Sequence, residues 1–555
     1  MYRILGVLLL CATTLVAQRD FYQTDAYQFD RGDTLRGMLR PERTAFDVHF
    51  YALDVAIDPA QRTLTGSVEV AFTLTAPTEV IQLDLYENMT IDRIEADGQP
   101  LDFRREYNAV FVDLPAALRT NDRGAVTVHY HGTPRVAPMA PWDGGFAYST
   151  DSNGKPWIGV ACEGDGASLW WPNKDHLSDE PDSMSIKIAV PRELMAVSNG
   201  DLRGTTDLDN GYRRYDWFVQ NSIDNYNVTV NIGDYVHFGE KYVSREDGDT
   251  LRLDYYVLRE NEATARTHFQ QVKPMLDCFE RAFGKYPFYE DGFALVETPY
   301  LGMEHQSAIA YGNKYMRGYL GGMIPAHHDW DYIIVHEAGH EWFGNSLSVG
   351  DMSEMWIQES FTTYSEAVFV ECQYGYEEAV AYLESQRRNV RNREPVRGPM
   401  QVNFDDWSSS DHYYKGAWII HTFRHALHDD VLFRDLLKNF HEEHKRSIVT
   451  TEDWIDYVNR RTGQDWSAFW EQYLWYPDVP KVRYRVRQDG RDAVLSLRLF
   501  ADVPLGLNLA FDTPDGLRYV EASTEGAQTL RLPNTDAATV MFAERLFLVD
   551  GTRLD

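Results

Sequence analysis

The sequence predicts a multidomain α+β chain: an N-terminal all-β domain, a mainly helical middle domain and a small C-terminal β-sandwich-like module. Three observations carry this reading. Apolar residues alternate with a period of two from about Phe46 to Phe238, recur at helical spacing from about Thr264, and alternate again from Lys481. At 555 residues the chain is too long for one ordinary domain, and about three is the natural expectation. An apolar fraction of 44% with 13% aromatics is globular composition, not that of a disordered chain.

Residues 1–17 read as a signal peptide. Arg3 gives a positive start, Ile4 to Leu10 begin an apolar stretch that runs to Val16, and Ala17 precedes Gln18 as a small-residue cleavage site. The stretch is too short for a comfortable membrane span, and Leu10 stands where a lipid-attachment box at Cys11 needs a small residue. No later segment has 18 uninterrupted apolar residues, so no integral membrane segment is expected in the mature chain. Export to the periplasm or the medium follows from this leader.

Residues 18–43 are polar and poorly patterned, and read as an N-terminal arm. Residues 44–238 form the expected β domain: Val68, Val70, Phe72 and Leu74 alternate with Glu69, Ala71 and Thr73, and Asp97-Gly98 and Asn210-Gly211 mark turns. Residues 239–478 form the helical domain, with Val272, Leu276, Phe279 and Phe283 on one face. Further helices are expected at Trp418–Leu427 and Phe433–Phe440, and another starts at a cap formed by Thr450 or Thr451. Residues 479–555 return to strands, with Val482, Tyr484 and Val486, a turn at Asp489-Gly490, then Leu495, Leu497 and Leu499.

Net charge is −32, from 85 acidic and 53 basic residues. That excess disfavours nucleic acid or an anionic lipid surface as partner, and Arg387-Arg388 and Lys445-Arg446 are too few to form a basic surface. Loss of the leader leaves Cys162, Cys278 and Cys372, which allow at most one disulfide. Cys278 and Cys372 fall in helical patterns and read as packed apolar residues rather than a bridge.

Chemistry concentrates in His336-Glu337-Ala338-Gly339-His340 and Glu359. Histidines four apart lie one helical turn apart on one face, so both imidazoles reach one metal ion. Glu359 lies far enough downstream to offer a carboxylate from a second helix. Two imidazoles and one carboxylate form the ligand set of one Zn2+ with an open fourth position, and Glu337 is left free as general base. Glu366, seven residues past Glu359, projects towards the same face and is a candidate to orient a ligand. His327-His328-Asp329 precede this helix; Asp329 reads as its cap, and a second metal there is not expected.

These residues resemble the gluzincin zinc aminopeptidases of the aminopeptidase N and leukotriene-hydrolase type. Four separated motifs carry the resemblance. They are His336, His340 and Glu359 at the family spacing, with Trp356-Ile357-Gln358-Glu359-Ser360-Phe361 around the third ligand; Leu301-Gly302-Met303-Glu304-His305, similar to the exopeptidase motif G-x-M-E-N; Tyr413-Tyr414-Lys415-Gly416, similar to Y-E-K-G; and Glu163 in Ala161-Cys162-Glu163-Gly164. The likeness spans roughly residues 45 to 480. Leu301 and His305 depart from the family pattern.

The resemblance implies a thermolysin-like fold for the catalytic domain and a short form without the C-terminal helical domain of long members, hence a more open cleft. It implies that Tyr413 stabilises the oxyanion. It further implies that Glu163 and Glu304 anchor the free amine of a peptide substrate, with Gly302 and Met303 beside them. A thermolysin-like endopeptidase and a non-catalytic peptide-binding relative are the alternatives. Glu163 and Glu304, which would obstruct a continuing chain, weigh against the first, and the intact ligand set, Glu337 and Tyr413 weigh against the second.

Overall fold

The computed structural model describes residues 28–555, so the leader and the first part of the arm lie outside the described residues. The N-terminal domain is built on an eight-stranded sheet in which Phe46–Asp58 lies between Thr63–Leu74 and Ser183–Pro191. It runs antiparallel to the first (Leu53 opposite Val68) and parallel to the second (Leu53 opposite Ile186). The alternation does what the period-two pattern requires: Val68, Val70, Phe72 and Leu74 are buried while Glu69 is exposed. Asp97 and Gly98 take positive φ (49° and 73°) in the tight turn that pairs Ala96 with Gln99. A second sheet contains Pro156–Ala161, which is buried from Ile158 onward and delivers the chain directly to Glu163.

The helical domain opens with a five-stranded sheet. Strand Tyr235–Val243 belongs to it, so the expected boundary between 238 and 239 falls inside a strand of this sheet. Gly302–Met303 is its edge strand, antiparallel to Ile309–Tyr311. Val272–Phe283 forms the amphipathic helix that the spacing requires, burying Val272, Leu276, Phe279 and Phe283. Thr450 caps Thr451–Thr462 in a reciprocal capping box with Asp453.

Two expectations are corrected. Asp331, not Asp329, caps the helix Tyr332–Gly339: its carboxylate accepts from the backbone N–H of Ile333 (2.9 Å) and Ile334 (3.3 Å). Asp329 stands two residues too early for that geometry. Cys278 and Cys372 form a disulfide, with Cα atoms 6.1 Å apart. Periodicity rightly placed both cysteines in helices, but only Cys278 is buried while Cys372 is exposed, and periodicity carries no information about which faces meet across 94 residues.

The C-terminal module stacks a four-stranded sheet against a three-stranded one. Its Leu495, Leu497, Leu509 and Phe511 join the same apolar core as Trp418 and Phe423, so it is continuous with the helical domain. Hydrogen bonds tie it to the helix Tyr414–Leu427: the Leu548 N–H donates to Thr422 Oγ1 (2.7 Å), Asn508 Nδ2 donates to the Ala426 carbonyl (3.1 Å), and just before the module the Pro477 carbonyl accepts from Lys415 Nζ (2.6 Å). Among the described residues no helix is long and apolar enough to cross a membrane.

Candidate active site

A cleft of about 650 Å³ runs between the β domain and the helical domain, and His336, Glu337, His340, Glu359, Glu304 and Tyr413 all line it. His336 and His340 come from the helix Tyr332–Gly339 and its C-cap, and Glu359 comes from the helix Met355–Tyr374. Gly339 permits this pairing of helices, since a Cβ there would fall 2.5 Å from Ser365 Oγ.

The three ligand atoms form a nearly regular triangle. His336 Nε2 and His340 Nε2 are 3.3 Å apart, and each faces Glu359 Oε2, at 3.6 and 3.4 Å. With both Nδ1 atoms donating elsewhere, the two Nε2 lone pairs face each other at 3.3 Å, an arrangement that a bound cation relieves. A tetrahedral ion with ligand distances of about 2.0–2.2 Å sets edges of about 3.3–3.6 Å. The residues therefore fit zinc, and Glu359 Oε2 is buried with no hydrogen-bond partner of its own.

Both imidazoles are oriented from behind. His336 Nδ1 lies 2.7 Å from Glu366 Oε1, and the other Glu366 oxygen accepts from the Tyr382 hydroxyl and from Gln386 Nε2 (3.0 Å). His340 Nδ1 donates to the Phe343 carbonyl (3.0 Å), with Thr362 Oγ1 at 3.2 Å. With the outer nitrogens occupied as donors, the Nε2 lone pairs face the triangle. Glu366 thus stands where its helical spacing put it.

Glu337 is 7% exposed and burial raises its carboxyl above the usual carboxylate range. It packs against the edge strand: a Cβ on Gly302 would lie 2.6 Å from Glu337 Oε1. One ligand-type atom each of Glu304, Glu337 and His340 lies within 4.8 Å of the other two. Glu304 accepts from the Tyr226 hydroxyl (2.9 Å). Glu163 reaches the same place from the β domain, within hydrogen-bonding reach of Glu304, and burial and the Glu304 charge push its carboxyl well up. Its Oε1 is buried without a partner.

Tyr413 is the N-cap residue of the helix Tyr414–Leu427, and its ring stacks over His336 with centroids 6.0 Å apart. Burial and the Glu359 charge hold its hydroxyl protonated. Gly416 has a steric reason: a Cβ there would overlap the Ser360 hydroxyl, which donates to the His412 carbonyl (2.6 Å) and so seats the turn before Tyr413. Met303 is 6% exposed at the cleft wall, and Leu301 also lines it. His305 does not line the cleft; its ring is fully buried without hydrogen-bond partners, and burial depresses its pKa to about 3.

Tyr226 was missed by sequence reasoning. It sits in a short turn capped by Asp224, among polar residues that carry no motif, and nothing in the sequence ties it to Glu304. His327 and His328 converge on one oxygen of Glu378, with Nε2 atoms at 2.9 and 3.1 Å. Those are hydrogen-bond separations, shorter than a tetrahedral edge, and His328 Nδ1 has no partner to orient it as a ligand.

Fold and site together define a zinc-metallopeptidase scaffold. The sequence profile of the peptidase M1 N-terminal domain matches residues 48–226 and that of the peptidase family M1 domain matches residues 267–473. The chain belongs to the M1 family of gluzincin peptidases, the aminopeptidase N type. It is 24% identical over 532 residues to aminopeptidase N of Lactobacillus helveticus, covering 88% of this chain and 58% of that protein. To aminopeptidase B of Mus musculus it is 24% identical over 291 residues, covering 49% and 41%. The chain thus spans less than two thirds of these curated relatives. An M1 zinc metallopeptidase from Deinococcus radiodurans, crystallised as a mutant with a Tyr-Ser-Ala substrate, has a similar fold: TM-score 0.63, 21% identity, 78% of this chain and 94% of that one.

Proposed function

We propose that this protein is an exported, zinc-dependent aminopeptidase that releases single residues from the free amino end of peptides. One observation carries the reading: the Glu163–Glu304 carboxyl pair, with an unpartnered buried oxygen, stands beside the metal-ligand triangle. An ammonium placed between them satisfies Glu163 Oε1 and relieves the repulsion that pushes the Glu163 carboxyl up. A chain continuing past that point would bury its backbone against two carboxylates, which disfavours internal cleavage.

His336, His340 and Glu359 would hold one zinc ion, which when bound would supply Lewis acidity and make a water more acidic. Glu337 takes the proton of the attacking water and passes it to the leaving amine. The Tyr413 hydroxyl, held protonated, donates to the developing oxyanion. Tyr226 fixes Glu304, and the Gly302–Met303 edge strand lets the substrate backbone approach closely. The leader-like first 17 residues support export.

The test compares a peptide with its N-acetylated twin, identifying products by mass, with and without a zinc chelator. Losing a desolvated ion pair costs about 3–5 kcal/mol, so the blocked twin should turn over roughly 100- to 4,000-fold more slowly. Internal cleavage of both peptides at similar rates would replace this reading with an endopeptidase.

A further inference from the structure

We propose that Arg36, in the arm that precedes the family match, is a positioning residue for the amine anchor: its guanidinium holds the Glu163 turn from behind. The proposal rests on the aminopeptidase reading of Glu163 and Glu304.

The arm is built into the molecule. Helix Arg31–Gly37 is capped by Asp30 in a reciprocal box with Asp33, and Leu35 is buried in a small cluster with Ala109 and Phe111. The next turn is pinned by Arg43, fully buried, which pairs with Asp84 (2.8 Å) and donates to the Asp175 carbonyl (3.0 Å). Between these anchors Arg36 reaches the turn Glu163-Gly164-Asp165-Gly166. Its Nη2 donates to the Gly164 carbonyl at 2.7 Å, and Asn403 Nδ2 donates to the same oxygen at 3.0 Å. A side chain at Gly166 would overlap the Arg36 guanidinium, and one at Gly164 would overlap the Asp405 carboxylate. Both glycines have positive φ, 87° and 71°. The turn therefore wraps tightly around the guanidinium, with Asp165, Asp175 and Asp405 as its surrounding negative charges. The arm also touches the third segment, since a Cβ on Gly37 would overlap the backbone of Val402 and Asn403.

Arm, Glu163 turn and the segment around Asn403 thus meet at one carbonyl oxygen, adjacent in sequence to the anchoring carboxylate. Arg36 does not reach the cleft, so it acts through the placement of Glu163 and through the positive charge it sets among the acids there. Removing it frees the turn and leaves the substrate's ammonium with a misplaced partner. The defect falls on binding of the free amine and not on proton transfer at Glu337.

The experiment measures kcat and KM of the full chain for a free-amine dipeptide, its ratio to the N-acetylated twin, zinc content and Tm. It does so for wild type, Arg36→Ala, Arg36→Lys, Glu163→Gln and the Arg36→Ala/Glu163→Gln double variant. Arg36→Ala should raise KM about tenfold or more, the size of one lost charged hydrogen bond, with kcat within about threefold and zinc content unchanged. Arg36→Lys, which keeps the charge and one donor, should recover part of that loss. In the Glu163→Gln background Arg36→Ala should add little, because both changes act on one anchor. Additive KM effects, or a lower Tm with KM unchanged in every Arg36 variant, would overturn the proposal. Equal turnover of free and blocked peptide by the wild-type chain would overturn the aminopeptidase reading, and this inference with it.

Discussion

Substituting Gly302 by alanine adds one carbon to the edge strand and tests how tightly the general base is placed. On the present backbone that carbon would lie 2.6 Å from Glu337 Oε1 and 2.7 Å from Ile333 Cγ2, against an ordinary contact distance of about 3.5–4.0 Å. Gly302 is not in the left-handed region, so alanine brings no backbone strain and the whole effect is steric. Something must give by about 1 Å. The helix Tyr332–Gly339 cannot retreat, because its opposite face is closed against Ser365 at Gly339. The Glu337 side chain is the soft element. Overpacking of this kind costs about 1–3 kcal/mol, and if Glu337 leaves its productive position to avoid it, kcat falls about 5- to 150-fold at ~1.4 kcal/mol per decade. KM should rise as well, because the added carbon also narrows the edge strand's approach for the substrate backbone, so kcat is the readout of Glu337. The assay is steady-state release of a chromogenic leaving group from an aminoacyl anilide, with zinc content and Tm measured alongside. A kcat within twofold of wild type, with Tm several degrees lower, would show that Ile333 absorbs the clash and would refute the argument.

Two further outcomes follow from groups away from the cleft floor. Glu366→Gln offers one acceptor where the carboxylate offers two, so either His336 Nδ1 or the Tyr382 and Gln386 donors lose their partner. Zinc affinity, read by competition with a chromogenic chelator, should weaken about 10- to 100-fold, and unchanged affinity would remove Glu366 from the site's support. His441 is fully buried and burial depresses its pKa to about 3, so it stays neutral in the folded chain while the unfolded chain takes up a proton below about 6.5. The unfolded state then binds more protons, and this group's contribution to stability falls as pH drops from about 6.5 towards 3. His441→Gln removes that loss, so its stability relative to wild type should improve by up to about 2 kcal/mol between pH 7 and pH 5, read from denaturant midpoints. A difference independent of pH would mean that His441 takes up a proton in the folded protein as readily as in the unfolded chain, and would refute the argument.

How much of this was legible in the sequence depends on whether a feature repeats locally or is made by two distant segments. The strand Thr63–Leu74 and the helix Val272–Phe283 were legible because each writes its buried face into its own period. The ligand triangle was legible because helix geometry fixes His336 against His340, leaving only Glu359 to arrive from elsewhere. The disulfide, Tyr226 and Arg36 were not, and for one reason. Each matters through a partner 94, 78 and 128 residues away, and their local sequence is that of any helical cysteine, any turn tyrosine and any arginine near a helix end. Gly302 and Gly416 lie between these cases. The motifs mark them, but only the packing explains them: one makes room for the general base and the other for the Ser360 hydroxyl that seats Tyr413. Motif glycines in such a site are therefore better read as the far side of someone else's side chain than as flexible joints. That reading makes the Gly302 substitution a test of Glu337.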